Sequence, residues 1–394
     1  MLIEKIGGYV LEHRWQDIDS ILLPLLDNKT QGLEAVLLYV STLRARNQGN
    51  MANEALLIAS RNRYAVSVQM WSQFAEELMQ SGLWPQARDI ISKISPVDPT
   101  IGNFLQLIFF RETENWSDFD KAFELVYEQT PVMALIQGAW ADIRRGRLTQ
   151  ANERLIALTS LQDHPAVLKL RARFNVASGK LAEALCDVEA AKVKMPMDWE
   201  CFALEGVCKP EQSVGLWEIS LSRQPAQLET LVNLARHYAI QSKWDLANHY
   251  CEAALKVKPW SDFPVLLRLN CLAAQQKTDE AWLYLHEKLT QLVTPGRLAA
   301  KLDLLRAKKG KTKELKAAVD DALKRFPNDS QLLLSAGAAL QLTKQLDRAA
   351  LCYQKRLSLF PNDISTINNL AQLYLDRGDI ELAIETWRSI ISEA

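Results

Sequence analysis

The chain has 394 residues, with 46 Lys plus Arg against 47 Asp plus Glu and a net charge of −1, so no global field draws it to nucleic acid or to an anionic membrane. Hydrophobic residues make up 48%, as in a folded soluble protein, and 15 Gly with 14 Pro are too few for a loop-rich all-β fold. Length alone suggests two or three domains, a count that fails where repeats stack. The six cysteines, Cys186, Cys201, Cys208, Cys251, Cys271 and Cys352, include no C-x-x-C pair, so zinc-ribbon and thioredoxin-like chemistry lack a signature. Glu4 and Lys5 interrupt the only apolar run near the start, whereas a secretory leader needs about 7–15 uninterrupted apolar residues. No run approaches the roughly 20 apolar residues of a membrane span. Free thiols without a leader fit a reducing compartment, and the expected location is cytoplasmic.

Taken in order, the chain reads as helical hairpins. Residues 1–30 hold a helix from Leu2 to Glu12 and another from Trp15 to Leu26. Residues 33–63 hold a second hairpin, with Ala55 at its small position. From Val68, a large–small–large pattern runs through Trp71, Phe74, Ala75, Leu78, Gly82, Ala87, Ile91, Ile94 and Pro99. The unit from Thr100 keeps Phe110, Phe123 and Tyr127 but has Phe119 where a small residue belongs, which predicts helices pushed apart. From Val132, Gly138, Ala139, Gly146 and Ala151 restore close packing; from Pro165, Gly179, Ala184 and Pro196 fit, while Arg171 and Asn175 replace apolar residues. Residues 197–225 are the least regular, with Pro210 at the expected turn and a shortened first helix, Trp199 to Cys208. From Leu228 the pattern returns as Leu231, Leu234, Ala235, Tyr238, Ala247, Cys251, Ala254 and Pro259. Ala281 marks the next unit, and the lysine-rich one after it has Leu302, Gly310, Leu315 and Ala322. From Ser330 come Leu333, Ala336, Gly337, Leu340, Ala349, Tyr353 and Pro361; the last unit has Leu370, Ala371, Tyr374, Gly378, Ala383 and Trp387.

Prolines set the period. Pro225 and Pro259 are 34 residues apart, as are Pro327 and Pro361. A proline closes each unit because it cannot continue a helix and biases the residue before it out of helical geometry. Small residues at repeat positions 8 and 20 let two helices approach, and large ones at 4, 7, 11 and 24 fill the space to the next hairpin. In this pattern the chain resembles the tetratricopeptide repeat (TPR) family, with its 34-residue helix–turn–helix unit. The resemblance implies an all-α, right-handed α-solenoid of about twelve hairpins. We expect TPR-like repeats over 1–196, an irregular hairpin over 197–225 and TPR repeats over 226–394, in one continuous superhelix.

Catalytic signatures are missing from the sequence: it has no G-x-S-x-G, P-loop, G-x-G-x-x-G or H-E-x-x-H. The histidines, His13, His164, His237, His249 and His286, are scattered, although His237 and His249 lie on the two helices of one hairpin and are placed to meet. Cys201 and Cys208 share a helical face, either as buried small residues or as a redox pair. No catalytic residue, cofactor site or metal site is expected. Residues 297–325 concentrate Lys301, Arg306, Lys308, Lys309, Lys311, Lys313, Lys316, Lys324 and Arg325 without interleaved aromatics, which favours a solvated face over a single-strand RNA site.

The TPR resemblance implies a concave groove built from repeat positions 2, 5, 6, 9, 12 and 13. Here those positions supply Trp140, Lys169, Arg173, Asn233, Arg236, Phe263, Asn270, Arg297, Lys301, Asn368 and Asn369. Arginine forks onto carboxylates and asparagine bonds both groups of a peptide backbone. The carboxylate-clamp pattern is not matched, since Phe263 and Leu267 replace its polar residues, and the asparagine ladder is broken outside Asn233 and Asn369. The expected function is a non-enzymatic scaffold that holds a partner protein or extended peptide, without membrane or nucleic acid. The alternative is a substrate-recognition arm of a larger modifying enzyme, for example a glycosyltransferase or sulfotransferase, with a catalytic domain beyond residue 394. A well-formed final repeat ending near Trp387, Ile390 and Ile391 further suggests an apolar end face covered by a second copy or by more chain.

Overall fold

The computed structural model describes residues 2–307 and 312–391, and every regular element among them is helical. The helices pair as α1 (Leu2–Leu11) with α2 (Trp15–Leu22), α3 (Gly32–Ala45) with α4 (Gly49–Ala59), and α5 (Val68–Gln80) with α6 (Trp84–Ile94). There follow α7 (Pro99–Glu112) with α8 (Trp116–Gln129), α9 (Pro131–Arg144) with α10 (Leu148–Ala157), and α11 (Pro165–Ala177) with α12 (Leu181–Lys194). Next come α13 (Trp199–Cys208) with α14 (Ser213–Arg223), α15 (Leu228–Ile240) with α16 (Trp244–Val257), and α17 (Phe263–Ala274) with α18 (Thr278–Gln291). The last six are α19 (Pro295–Ala307) with α20 (Thr312–Arg325), α21 (Ser330–Leu342) with α22 (Leu346–Leu359), and α23 (Ile364–Arg377) with α24 (Ile380–Ile391). No described helix is long and apolar enough to cross a membrane.

Starts and stops follow local chemistry. The side chains of Ser67, Asp98, Asp198 and Asp329 accept from free N–H groups at the N-termini of α5, α7, α13 and α21, and proline occupies the first turn of α6, α7, α9, α11 and α17. Ten of the turns between paired helices place one residue in left-handed conformation, and the turn between α13 and α14 does not. Gly82, Gly146, Gly179 and Gly378 fill it without strain, but His13, Asn47, Glu114, Ser242, Gln276 and Lys344 adopt it too.

The chain divides into two compact units. Unit 1 is Met1–Leu234 with Lys256–Lys258; unit 2 is Ala235–Leu255 with Pro259–Ala394. In unit 2 the core runs through Leu302, Leu315, Val319, Leu333, Ala336, Leu340, Ala349 and Tyr353. A Cβ on Gly337 would stand 2.5 Å from the Tyr353 ring, which is why this position stays small. In unit 1, Phe119 does not splay its hairpin: α7 and α8 pack as neighbouring pairs do. Its ring is 3% exposed, shares a core with Leu107, Ala122 and Phe123, and meets Trp116 edge-on at 6.1 Å. The shortened α13 is held by Trp217, whose Nε1 donates to the Ala203 carbonyl at 3.1 Å.

Unit 1 also closes on itself. α14 packs against both α3 and α4. Arg223 Nε donates to Asn47 Oδ1 at 3.2 Å, and a Cβ on Gly49 would lie 2.5 Å from the Arg223 carbonyl oxygen. On the same side, Trp84 Nε1 donates to the Val257 carbonyl at 2.8 Å. The intervening hairpins, α5 to α12, therefore form part of a circuit instead of an open stack.

Candidate binding cavity

The first helices of the hairpins α5, α7, α9, α11 and α13, with the start of α15 and the residues before it, surround a cavity of about 470 Å³ in unit 1. That is a ligand-sized space, about 300–1,000 Å³ being usual. Trp140 on α9 is half-buried in its wall, with the guanidinium groups of Arg144, Arg111 and Arg173 at 4.3, 4.4 and 5.3 Å from its ring centroid. Such stacking covers both charge and ring and holds the arginines without a carboxylate on every nitrogen.

Around this stack runs an ion network. Arg173 pairs with Glu200 at 2.8 Å and Glu229 at 2.6 Å, and Lys169 pairs with Asp198 at 2.6 Å and Glu200 at 2.7 Å. Lys258 Nζ reaches Glu112 Oε2 at 2.6 Å and the Glu112 carbonyl at 3.0 Å, while Arg111 holds the other carboxylate oxygen at 2.6 Å. Burial acts to raise the Glu112 carboxyl, but Lys258, Arg111 and Arg144 outweigh it and hold the group well below the carboxylate range. Burial opposes ionisation of Glu200 in the same way, and Lys169 and Arg173 overcome it, pulling it down to about 2. Glu229 is likewise lowered against burial by Arg173 and Arg144.

Two groups in the wall are less committed. Arg144 touches Glu229, Glu112 and Glu114 only at 3.6, 3.7 and 3.8 Å, and its buried Nη1 has no hydrogen bond. Glu76 on α5 carries neither hydrogen bond nor ion pair among the described residues; burial, with Glu77 beside it, pushes its carboxyl up to about 7 despite Arg111.

Of the expected groove residues, Trp140, Lys169, Arg173 and Asn233 line this one cavity. In unit 2, Arg236 is exposed and stacks over the Phe263 ring at 5.1 Å, and Asn270 is exposed. Lys301 is half-buried; Asn369 lines a second recess of about 640 Å³ with Asp303, Arg306, Ser335 and Gln341. Asn368 Oδ1 is taken by Trp387 Nε1 at 3.1 Å. Arg297 corrects the expectation. It is 1% exposed, and its guanidinium donates to the carbonyls of Pro259, Lys288 and Leu292 at 2.6, 3.0 and 3.0 Å. Three inward-pointing carbonyls at the hairpin junction draw it out of any groove.

His237 and His249 each lie edge-on to the adjoining tyrosine, and across their hairpin Tyr238 stacks on Tyr250 at 5.6 Å. Burial pushes the Cys201 thiol up to about 12, far from a reactive thiolate. Lys308, Lys309, Gly310 and Lys311 of the basic hairpin, and the side chains of Ile390 and Ile391, lie outside the described residues. Among the described residues no cluster of His, Cys, Asp or Glu is placed to hold a metal ion.

Sequence reasoning passed over Arg111, Arg144, Glu76, Glu112, Glu200, Glu229 and Lys258. Glu76, Arg111 and Arg144 occupy repeat positions 9, 12 and 13, so the groove rule itself could have found them. Lys258 follows a helix end and carries no such signal.

No family model matches the chain, and no curated protein does. Solved structures do. Yeast Tom70 superposes at TM-score 0.50 with 11% identity, covering 92% of each chain. A monomeric mutant of IFIT1 with m7Gppp-AAAA superposes at 0.50 with 16% identity over 96% of this chain and 94% of the other. A tetratricopeptide repeat protein from Parabacteroides merdae covers 62% of this chain, and the match takes in 98% of that one, at TM-score 0.43 and 18% identity. These are similarities of fold: the chain is an all-α helical-repeat protein of TPR-like build.

Proposed function

We propose that this protein is a non-catalytic binding scaffold, and that unit 1 holds an extended segment of a partner protein in its cavity. The observation that carries the reading is the convergence of five inner helices on one ligand-sized space whose wall offers Trp140, Arg144, Gln137 and Asn233. Paired side chains surround these groups and fix them in place, so little order has to be imposed on binding. A peptide suits the wall better than RNA does. Four carboxyl groups, Glu76, Glu112, Glu200 and Glu229, stand among five cations, whereas a nucleic acid presents a phosphate at every residue.

Site-specific photo-crosslinking tests this. With p-benzoylphenylalanine at position 233 in the cavity, partner chains should be captured in the native host. With the same group at position 125, an exposed site on α8, they should not. Capture at 125 with none at 233 would refute the cavity as the binding surface.

A further inference from the structure

Resting on that reading, we infer that the unit 1 cavity selects an acidic segment, with Arg144 forking onto one carboxylate of the bound chain.

Five cations and four carboxyl groups line the cavity, and Asp198 and Glu114, beside Lys169 and Arg144, leave no surplus positive charge with all of them ionised. Four of the cations are held by carboxylate partners at 2.6–2.8 Å. Arg144 is the exception: its carboxylate neighbours stand at 3.6–3.8 Å, beyond hydrogen-bond reach, and Nη1 is buried without an acceptor. A buried donor left unmade is costly, and a charged one more so. One ligand carboxylate would supply the acceptor. The guanidinium is already flat on Trp140 at 4.3 Å, which fixes the plane of its fork before anything binds.

The charge also limits the ligand to about one anionic group. A chain of phosphates would meet Glu112, Glu200 and Glu229 after the first. Nor is the Trp140 ring free to stack a base, because three guanidinium groups already surround it.

Glu76 makes the preference depend on pH. The charged groups around it are Glu77 on its own helix, held by Arg44 of α3 at 2.5 Å, then Arg111 and Glu112 of α7, and Lys258. With its carboxyl near 7, the wall is one charge more positive below neutrality than above it. Acidic ligands should therefore bind more tightly as pH falls from 8 to 6, until the ligand carboxylate itself protonates near ~4.3.

The test uses the full chain and fluorescent ten-residue peptides in one Ala/Ser/Leu background, each with a single central Glu, Gln or Lys, with amidated or free C-termini. Anisotropy should give at least about tenfold tighter binding for an anionic peptide than for the amidated Gln peptide. The amidated Glu peptide and the free-C-terminus Gln peptide show whether a side chain or a terminus supplies the carboxylate. Arg144→Gln should abolish the preference, and Arg144→Lys should restore part of it. Glu76→Gln removes no partner, so that variant should fold. It should bind the Glu peptide more tightly at pH 8 and lose the pH dependence between 6 and 8. Binding without charge preference, a preference that survives Arg144→Gln, or preferred binding of a 5′-hydroxyl oligoadenylate would overturn the inference while leaving a binding scaffold. Failure of every peptide to bind would sink both readings.

Discussion

Replacing Glu200 by Gln isolates the ion network on which the cavity wall rests. Glu200 accepts from Lys169 at 2.7 Å and Arg173 at 2.8 Å, and its carboxyl falls from the ordinary 4.5 to about 2. At about 1.4 kcal/mol per tenfold, that difference corresponds to roughly 3 kcal/mol of folding stability. The folded value lies below the unfolded one, so the contribution is fully present above about 4.5 and is lost as pH falls toward 2. Gln resembles the protonated acid. The wild type should therefore exceed Glu200→Gln by about 3 kcal/mol at pH 7, with the gap shrinking below ~1 kcal/mol near pH 2. Lys169 keeps Asp198 and Arg173 keeps Glu229, so the variant still folds. Urea unfolding followed by circular dichroism at pH 7, 5, 4 and 3 measures the gap. A gap that stays constant across this series, or is missing at pH 7, would refute the reasoning.

Gly49→Ala should strain the contact between α4 and the chain after α14, since its Cβ would sit 2.5 Å from the Arg223 carbonyl. The cost should be about 1–3 kcal/mol, seen as faster amide exchange across the whole circuit from α3 to α14 while unit 2 is unchanged. Arg297→Met should lower stability by at least ~3 kcal/mol in thermal or urea melts, because three buried carbonyls lose their donor. An Arg297→Met protein as stable as wild type would return that residue to the groove.

The hairpin register was legible because packing writes it into residue size. Ala75, Ala235 and Ala371 at the small position are all fully buried. Turns were harder to read: Glu114, Gln276 and Lys344 take the left-handed geometry that sequence reasoning assigns to glycine, since tertiary packing fixes the turn whatever residue occupies it. The site was half legible. Repeat position put Trp140, Lys169 and Arg173 on the inner face, but the same rule misplaced Arg297, because nothing in the period reports three carbonyls converging on its side chain. Lys258 was invisible for the converse reason: it reaches Glu112 across 146 residues of chain, a distance no local pattern spans.

An open repeat array can unravel from its ends, each unit leaning only on its neighbours. The seam between α14 and the pair α3–α4 removes that route from unit 1. Between those helices there is no terminal repeat to fray, and displacing any hairpin of the circuit breaks an interface on each side of it. Unit 1 should thus behave as one cooperative block, lost whole or kept whole. A protease would find its purchase there only after global opening, and the stacked tryptophan and its arginines would keep their spacing until that moment.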